Sequence, residues 1–202
     1  MPMQPYKQSN EYTGGAAALL MVLNHYDPKV ELTKENEYEI WRQTAALPVR
    51  ASDIYGLALA AHDRRRKVRV VVGDLQYQYP NYRFQGYKLS EIEEATFTSD
   101  LFCKRLKRSG VEVIKKDFTL EQVKDALKGD RIVILRLNSG ILRNSKASSN
   151  FFPVFKYGDR KFLIIDPQDG QKKLVYEEKM KEALDTVKEK CHRDNRMLVF
   201  EG

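Results

Sequence analysis

Residues 14 to 23, GGAAALLMVL, limit more than any other stretch what this chain can become. Their side chains are all apolar or absent, so a helix built on them has no polar stripe to turn toward water. Thr13 precedes the run as a candidate cap, and the pattern predicts a helix over about 14 to 26. Such a helix must be covered on most sides by other elements. The run is far too short to cross a bilayer, which takes about 20 apolar residues. With 202 residues, the chain is long enough to provide the cover from a single domain with a sizeable core.

Periodicity and punctuation predict the remaining elements. A second helix is expected over 34 to 46, and a third after Ser52 through DIYGLALAAHDRRR. Arg64, Arg65 and Arg66 suit the negative end of that helix dipole better than a dedicated nucleic-acid contact. KVRVVV and VEVIKK read as strands. Ser90 with Glu93 forms a candidate capping box for a helix to about 108, and Thr119 with Gln122 forms one for LEQVKDALKG. The period then changes. RIVILRL, FFPVFKY, KFLIIDP and KKLVYEE are strands separated by turn signals, and DNRMLVF is a last strand after one more helix. The expectation is an α+β domain over 1–202, with a helical part at about 1–128 packed on a mostly antiparallel sheet at about 131–202.

Composition narrows the function classes. Lys and Arg number 35 against 28 Asp and Glu, a net charge of +7, so a nucleic acid or anionic surface is an admissible partner. The simpler reading is a Lys-rich solvated surface. Cys103 and Cys191 make no metal-spaced pair, and no metal or cofactor is expected. MPMQPYKQSN has no basic region leading into an apolar core, so the expectation is a cytoplasmic protein without a membrane segment. The segment LQYQYPNYRFQGYK, 75 to 88, interleaves Tyr77, Tyr79, Tyr82, Phe84 and Tyr87 with Arg83 and Lys88. Such a loop is pinned by its own rings, or it stacks bases or grips a peptide.

Three local words, in order, carry a resemblance. QSNEYTGGAAALLMVLNHY is similar to the opening Q-x-x-x-x-x-C-G-x-A-A-L-x-M of the C39 peptidases, the bacteriocin-processing branch of papain-like cysteine peptidases, and of their stand-alone relatives. ASDIYGLALAA resembles their Gly-Leu-Ala-Leu-Ala-Ala helix. LRLNSGILRNSKASSNFFPVFKYGDRKFLIIDP resembles the segment carrying H-W-V-V-V and a later D-P. The resemblance implies a papain-like fold. It also implies a cleft in which a thiolate at a helix start attacks, a histidine moves the proton, an acid orients the histidine and a glutamine donates to the oxyanion.

Carried over position by position, the glutamine falls on Gln8 and the acid on Asp166, the cysteine on Gly14 and the histidine on Asn150. Glycine has no attacking atom, and asparagine does not titrate near neutral pH. The resemblance therefore implies a pseudo-peptidase that binds a peptide or small ligand in the former active-site cleft. Candidate contacts are Gln8, Gly14, Gly15, Asn150, Phe151, Tyr79 and Tyr82. Asn150 is expected to donate its amide to Asp166. Gln8 and the helix start at Gly14 are expected to offer N–H donors to an anion, such as a peptide carboxylate. Ser9 and Thr13 flank the site without an evident base, and His25, His62 and His192 fall outside the expected sheet position. Altered chemistry at the same cleft and nucleic-acid binding stay open as alternatives.

Overall fold

The structure, a computed structural model, describes residues 3–76 and 86–201. Tyr79 and Tyr82 lie outside the described residues. Three helices open the chain, α1 (Gly14–Tyr26), α2 (Lys34–Thr44) and α3 (Ile54–Asp63), followed by β1 (Val68–Val72). Next come α4 (Leu89–Arg108), β2 (Glu112–Lys115), α5 (Leu120–Ala126), β3 (Ile132–Asn138) and a short α6 (Ser139–Arg143). The chain ends with β4 (Ser149–Gly158), β5 (Lys161–Asp166), β6 (Gln171–Tyr176), α7 (Glu177–Cys191) and β7 (Arg196–Phe200).

The strands form one sheet in the order β2-β1-β7-β3-β4-β5-β6. Only β1 and β2 pair in parallel; the other neighbours are antiparallel. The α+β class is therefore as expected. Two strands of the first half extend the sheet, and the last strand, β7, joins them to β3. Period-2 alternation divides the apolar side chains between two faces. Val70, Val72, Ile132, Ile134, Leu198 and Phe200 pack with α1 and α3. Val71, Val133, Leu135, Met197 and Val199 pack with α5 and α7 on the opposite face. A sheet apolar on both sides needs helices on both, and for that reason α5 and α7 do not join the first three helices.

Helix α1 is the centre of the first layer. Ala16 through Leu23 are at most 1% exposed, as the apolar run requires. α2, α3 and β4 supply its main cover. A Cβ on Gly56 of α3 would lie 2.9 Å from the Cα and carbonyl oxygen of Thr44, so glycine lets α3 meet the end of α2 at backbone distance.

Two of the three expected caps differ from expectation. Thr13 occupies the N-cap position of α1, but its hydroxyl donates to Asn10 O at 3.0 Å and caps no N–H. Asp53, one residue after Ser52, caps α3 by accepting from Tyr55 N at 2.8 Å. Glu91, two residues before Glu93, accepts from Lys88 N at 2.6 Å because α4 starts two residues early, with Lys88 rather than Ser90 at its N-cap. The third expectation holds: Thr119 N donates to Gln122 Oε1 at 2.9 Å.

Candidate functional site

Gly14 begins α1 at the edge of a cleft of about 1310 Å³. The N-terminal segment, the 49–52 loop, the 146–149 loop and the start of β4 line it. A Cβ on Gly14 would stand 2.8 Å from Gln8 Oε1, 2.8 Å from Asn150 Oδ1 and 3.2 Å from Asn150 Nδ2. Three positions far apart in sequence therefore meet at one point. The space a side chain would take there is closed by two amide ends.

The support of Gln8 comes from a residue the sequence reading missed. Glu37 on α2 is fully buried. It accepts from Ser9 N at 2.9 Å, from Tyr6 OH at 3.0 Å and from the Ser9 hydroxyl. Gln8 N donates to Pro167 O at 2.7 Å, which ties the same segment to the turn after β5. Glu37 shares the helix face of Ile40 and Thr44, at i+3 and i+7, and both of those are buried. That spacing was the available signal. Ser9 thus does have a carboxylate against its hydroxyl, contrary to expectation. Glu37 spends its remaining acceptor capacity on Ser9 N and Tyr6 OH, which makes it a clamp on residues 6–9.

Two expected hydrogen bonds are replaced. The Gln8 amide was expected to offer N–H groups toward Gly14. Its Nε2 instead donates to Asn10 O at 2.7 Å, so the oxygen faces Gly14, buried and without a hydrogen-bond partner. Asn150 was expected to donate to Asp166. Its Oδ1 accepts from Phe151 N at 2.9 Å. Two amide oxygens therefore stand beside Gly14 together with Asn150 Nδ2, and the Gln8 N–H groups expected there face Asn10 instead.

Asp166, fully buried at the end of β5, is held by cations. Arg143 Nε donates to Oδ2 at 2.9 Å and Nη2 to Oδ1 at 2.5 Å. Lys173 Nζ donates to Oδ2 at 2.8 Å, and Gln168 N to Oδ1 at 3.0 Å. A forked guanidinium satisfies a carboxylate better than a neutral amide does, which explains why Asn150 is not its partner. Arg143 sits on α6, five residues too short for periodicity to reveal. Burial pushes the Asp166 carboxyl up, but the hydrogen bonds from Arg143 and Lys173 outweigh it and hold the group below its ordinary range. A depressed folded-state pKa adds stability above the unfolded value of 3.8, lost as pH falls through the folded value. The stability gap between the wild type and Asp166→Asn should be full above about pH 4 and should close below it. Melting curves at stepped pH check this; a gap that widens in acid would contradict it.

Gly15 seats the 49–52 loop on α1. A Cβ there would lie 2.8 Å from Ser52 Cβ and 3.4 Å from Phe151 Cδ2. Phe151 itself lines the cleft, with the Arg136 guanidinium 5.0 Å over its ring. No histidine is among the cleft-lining residues. His25 lies outside the cleft lining, and burial lowers its imidazole pKa below the ordinary value. Cys103 and Cys191 are both buried and unbridged. Cys191 does line the cleft, at the end of α7, which its place in the sequence did not reveal. Among the described residues no group of three His, Cys, Asp or Glu could hold a metal ion, and no helix is long and apolar enough to cross a membrane.

A search of curated proteins gives no match to this chain. A family model described as Peptidase_C39 like family matches residues 3–194. The match spans α1, its Gln8 loop, the sheet strands through β6 and α7, the elements that bring Gln8, Gly14 and Asn150 together. With nearly the whole chain covered, this protein belongs to the C39-like peptidase family.

Proposed function

We propose that this chain is a catalytically inactive member of its family that binds a peptide or small ligand in the former active-site cleft. One observation carries the reading. At the helix start where peptidase chemistry needs an attacking atom, Gly14 offers none, and the Gln8 and Asn150 amides occupy the space beside it. Asn150 cannot serve as general base, and no cleft-lining histidine replaces it. The cleft itself stays open at about 1310 Å³, ample for several peptide residues.

A broad fluorogenic peptide panel should show no turnover above buffer. Altered chemistry has one specific candidate, the Ser9 hydroxyl donating to buried Glu37. Turnover that survives purification and is abolished by Ser9→Ala or Thr13→Ala would overturn the inactive reading.

A further inference from the structure

The cleft carries charge of nearly one sign. Among the described residues Lys7, Arg50, Arg136, Arg143, Lys146 and Arg193 line it, against a single acid, Glu11. In the whole chain the ratio is 35 to 28, so the cleft concentrates positive charge well beyond the average of the molecule. The inner arginines are engaged: Arg143 with Asp166 and Arg136 with Asp194 at 3.2 Å. The rim differs. Lys7, Arg50 and Lys146 are exposed and form no ion pair among the described residues. Arg50 is nevertheless held in place. Its Nε donates to Tyr87 OH at 3.1 Å, and its guanidinium lies 5.0 Å over the Tyr12 ring. A fixed, charged fork facing an open cleft is prearranged for a carboxylate.

We infer that the cleft takes an acidic peptide, with side-chain carboxylates at Lys7, Arg50 and Lys146. This rests on the peptide-binding reading above and names the class of peptide. The charges lie on the rim, so recognition does not depend on the point beside Gly14, where the Gln8 and Asn150 amides occupy the space. Ser149, Gln168 and Asn10 line the same cleft and suit the polar backbone of a peptide. Base stacking is less well served. The Tyr12 ring already has Arg50 on it and Trp41 at 5.1 Å, and Phe151 has Arg136 over it. An acidic peptide is thus favoured over a single-stranded nucleic acid.

The test uses fluorescence anisotropy on the full chain with labelled (Glu-Gly)5, (Gln-Gly)5 and a ten-residue oligothymidylate. (Glu-Gly)5 should bind at least about tenfold tighter than (Gln-Gly)5, and added salt should narrow the gap. Lys7→Glu/Arg50→Glu/Lys146→Glu should weaken (Glu-Gly)5 at least about tenfold. Lys104→Glu/Lys107→Glu/Arg108→Glu makes the same change in net charge at exposed positions outside the cleft, and should cost less than about threefold. Melting curves establish that both variants are folded, and the salt titration of the wild type gives an answer independent of either. Equal losses in the two triple variants would overturn the inference in favour of diffuse charge. Tighter binding of the oligothymidylate through the same three residues would overturn it in favour of nucleic acid. Equal binding of the two peptides, both weakened by Ser148→Trp at the cleft wall, would remove the acidic preference and leave peptide binding standing. Binding of neither peptide would sink both readings.

Discussion

Arg196→Ala is expected to destabilise the fold by about 3–5 kcal/mol, the range for removing one partner of a buried ion pair. For a chain of this size that lowers the melting temperature by roughly 6–20 °C. Arg196 begins β7 and is fully buried. Its Nε donates to both oxygens of Asp194 at 2.9 Å, and its Nη2 donates to Asp74 O at 3.1 Å. The guanidinium lies 5.1 Å over the Tyr55 ring, and its Nη1 is 4.0 Å from Asp53 Oδ2. Asp53 caps α3 and accepts from Ser99 Oγ of α4 at 2.8 Å. One cation therefore links β7, α3, α4 and the turn after β1. Burial pushes the Asp53 carboxyl up, with Arg196 the largest influence opposing it. Without Arg196, Asp53 must stay protonated or remain a charge without its main compensation. A loss below about 1 kcal/mol by chemical denaturation would show that the cluster carries little of the fold.

Phe152→Ala should cost a similar amount, about 3–5 kcal/mol, by leaving a cavity in the second layer. Phe152 is fully buried on β4, paired in register with Leu135, in the cluster covered by α5 and α7. The Arg143 guanidinium also lies 5.4 Å over its ring, so the cavity loosens a cation that holds Asp166. Phe151→Ala, at the preceding position, should cost less because that ring, although part of the first-layer core, also borders the open cleft. Urea unfolding of the two variants checks the order; a larger loss for Phe151→Ala would contradict this placement.

The elements that the sequence made legible are those set by local physics. The run from Ala16 to Leu23 could only be a covered helix, and it is. The strands after residue 131 followed from period 2 and turn residues, and each appears within about two residues of its expected span. The meeting of Gly14 and Asn150 came from the order of the motif words rather than from any local pattern. What stayed hidden depends on long-range partners. Arg143 comes from a single short turn, yet it sits where an amide was expected. Glu37 looks like one more surface charge until its spacing with Ile40 and Thr44 is weighed. The orientation of the Gln8 amide depends on one carbonyl, Asn10 O, whose place only the folded loop defines. The assignment of α5 and α7 to the far face needed the full strand order, because β1 and β2 extend the sheet.

The central claim is binding without turnover in one cleft, and a single titration measures both parts. The ¹⁵N-labelled protein is titrated with acidic decapeptides of mixed sequence, and the peptide mass is followed in the same tube for a day. The account predicts amide shifts at Gly14, Gly15, Ser148, Asn150 and Arg50, with every peptide mass unchanged. Peptide fragments, or shifts confined to residues outside the cleft, would contradict it.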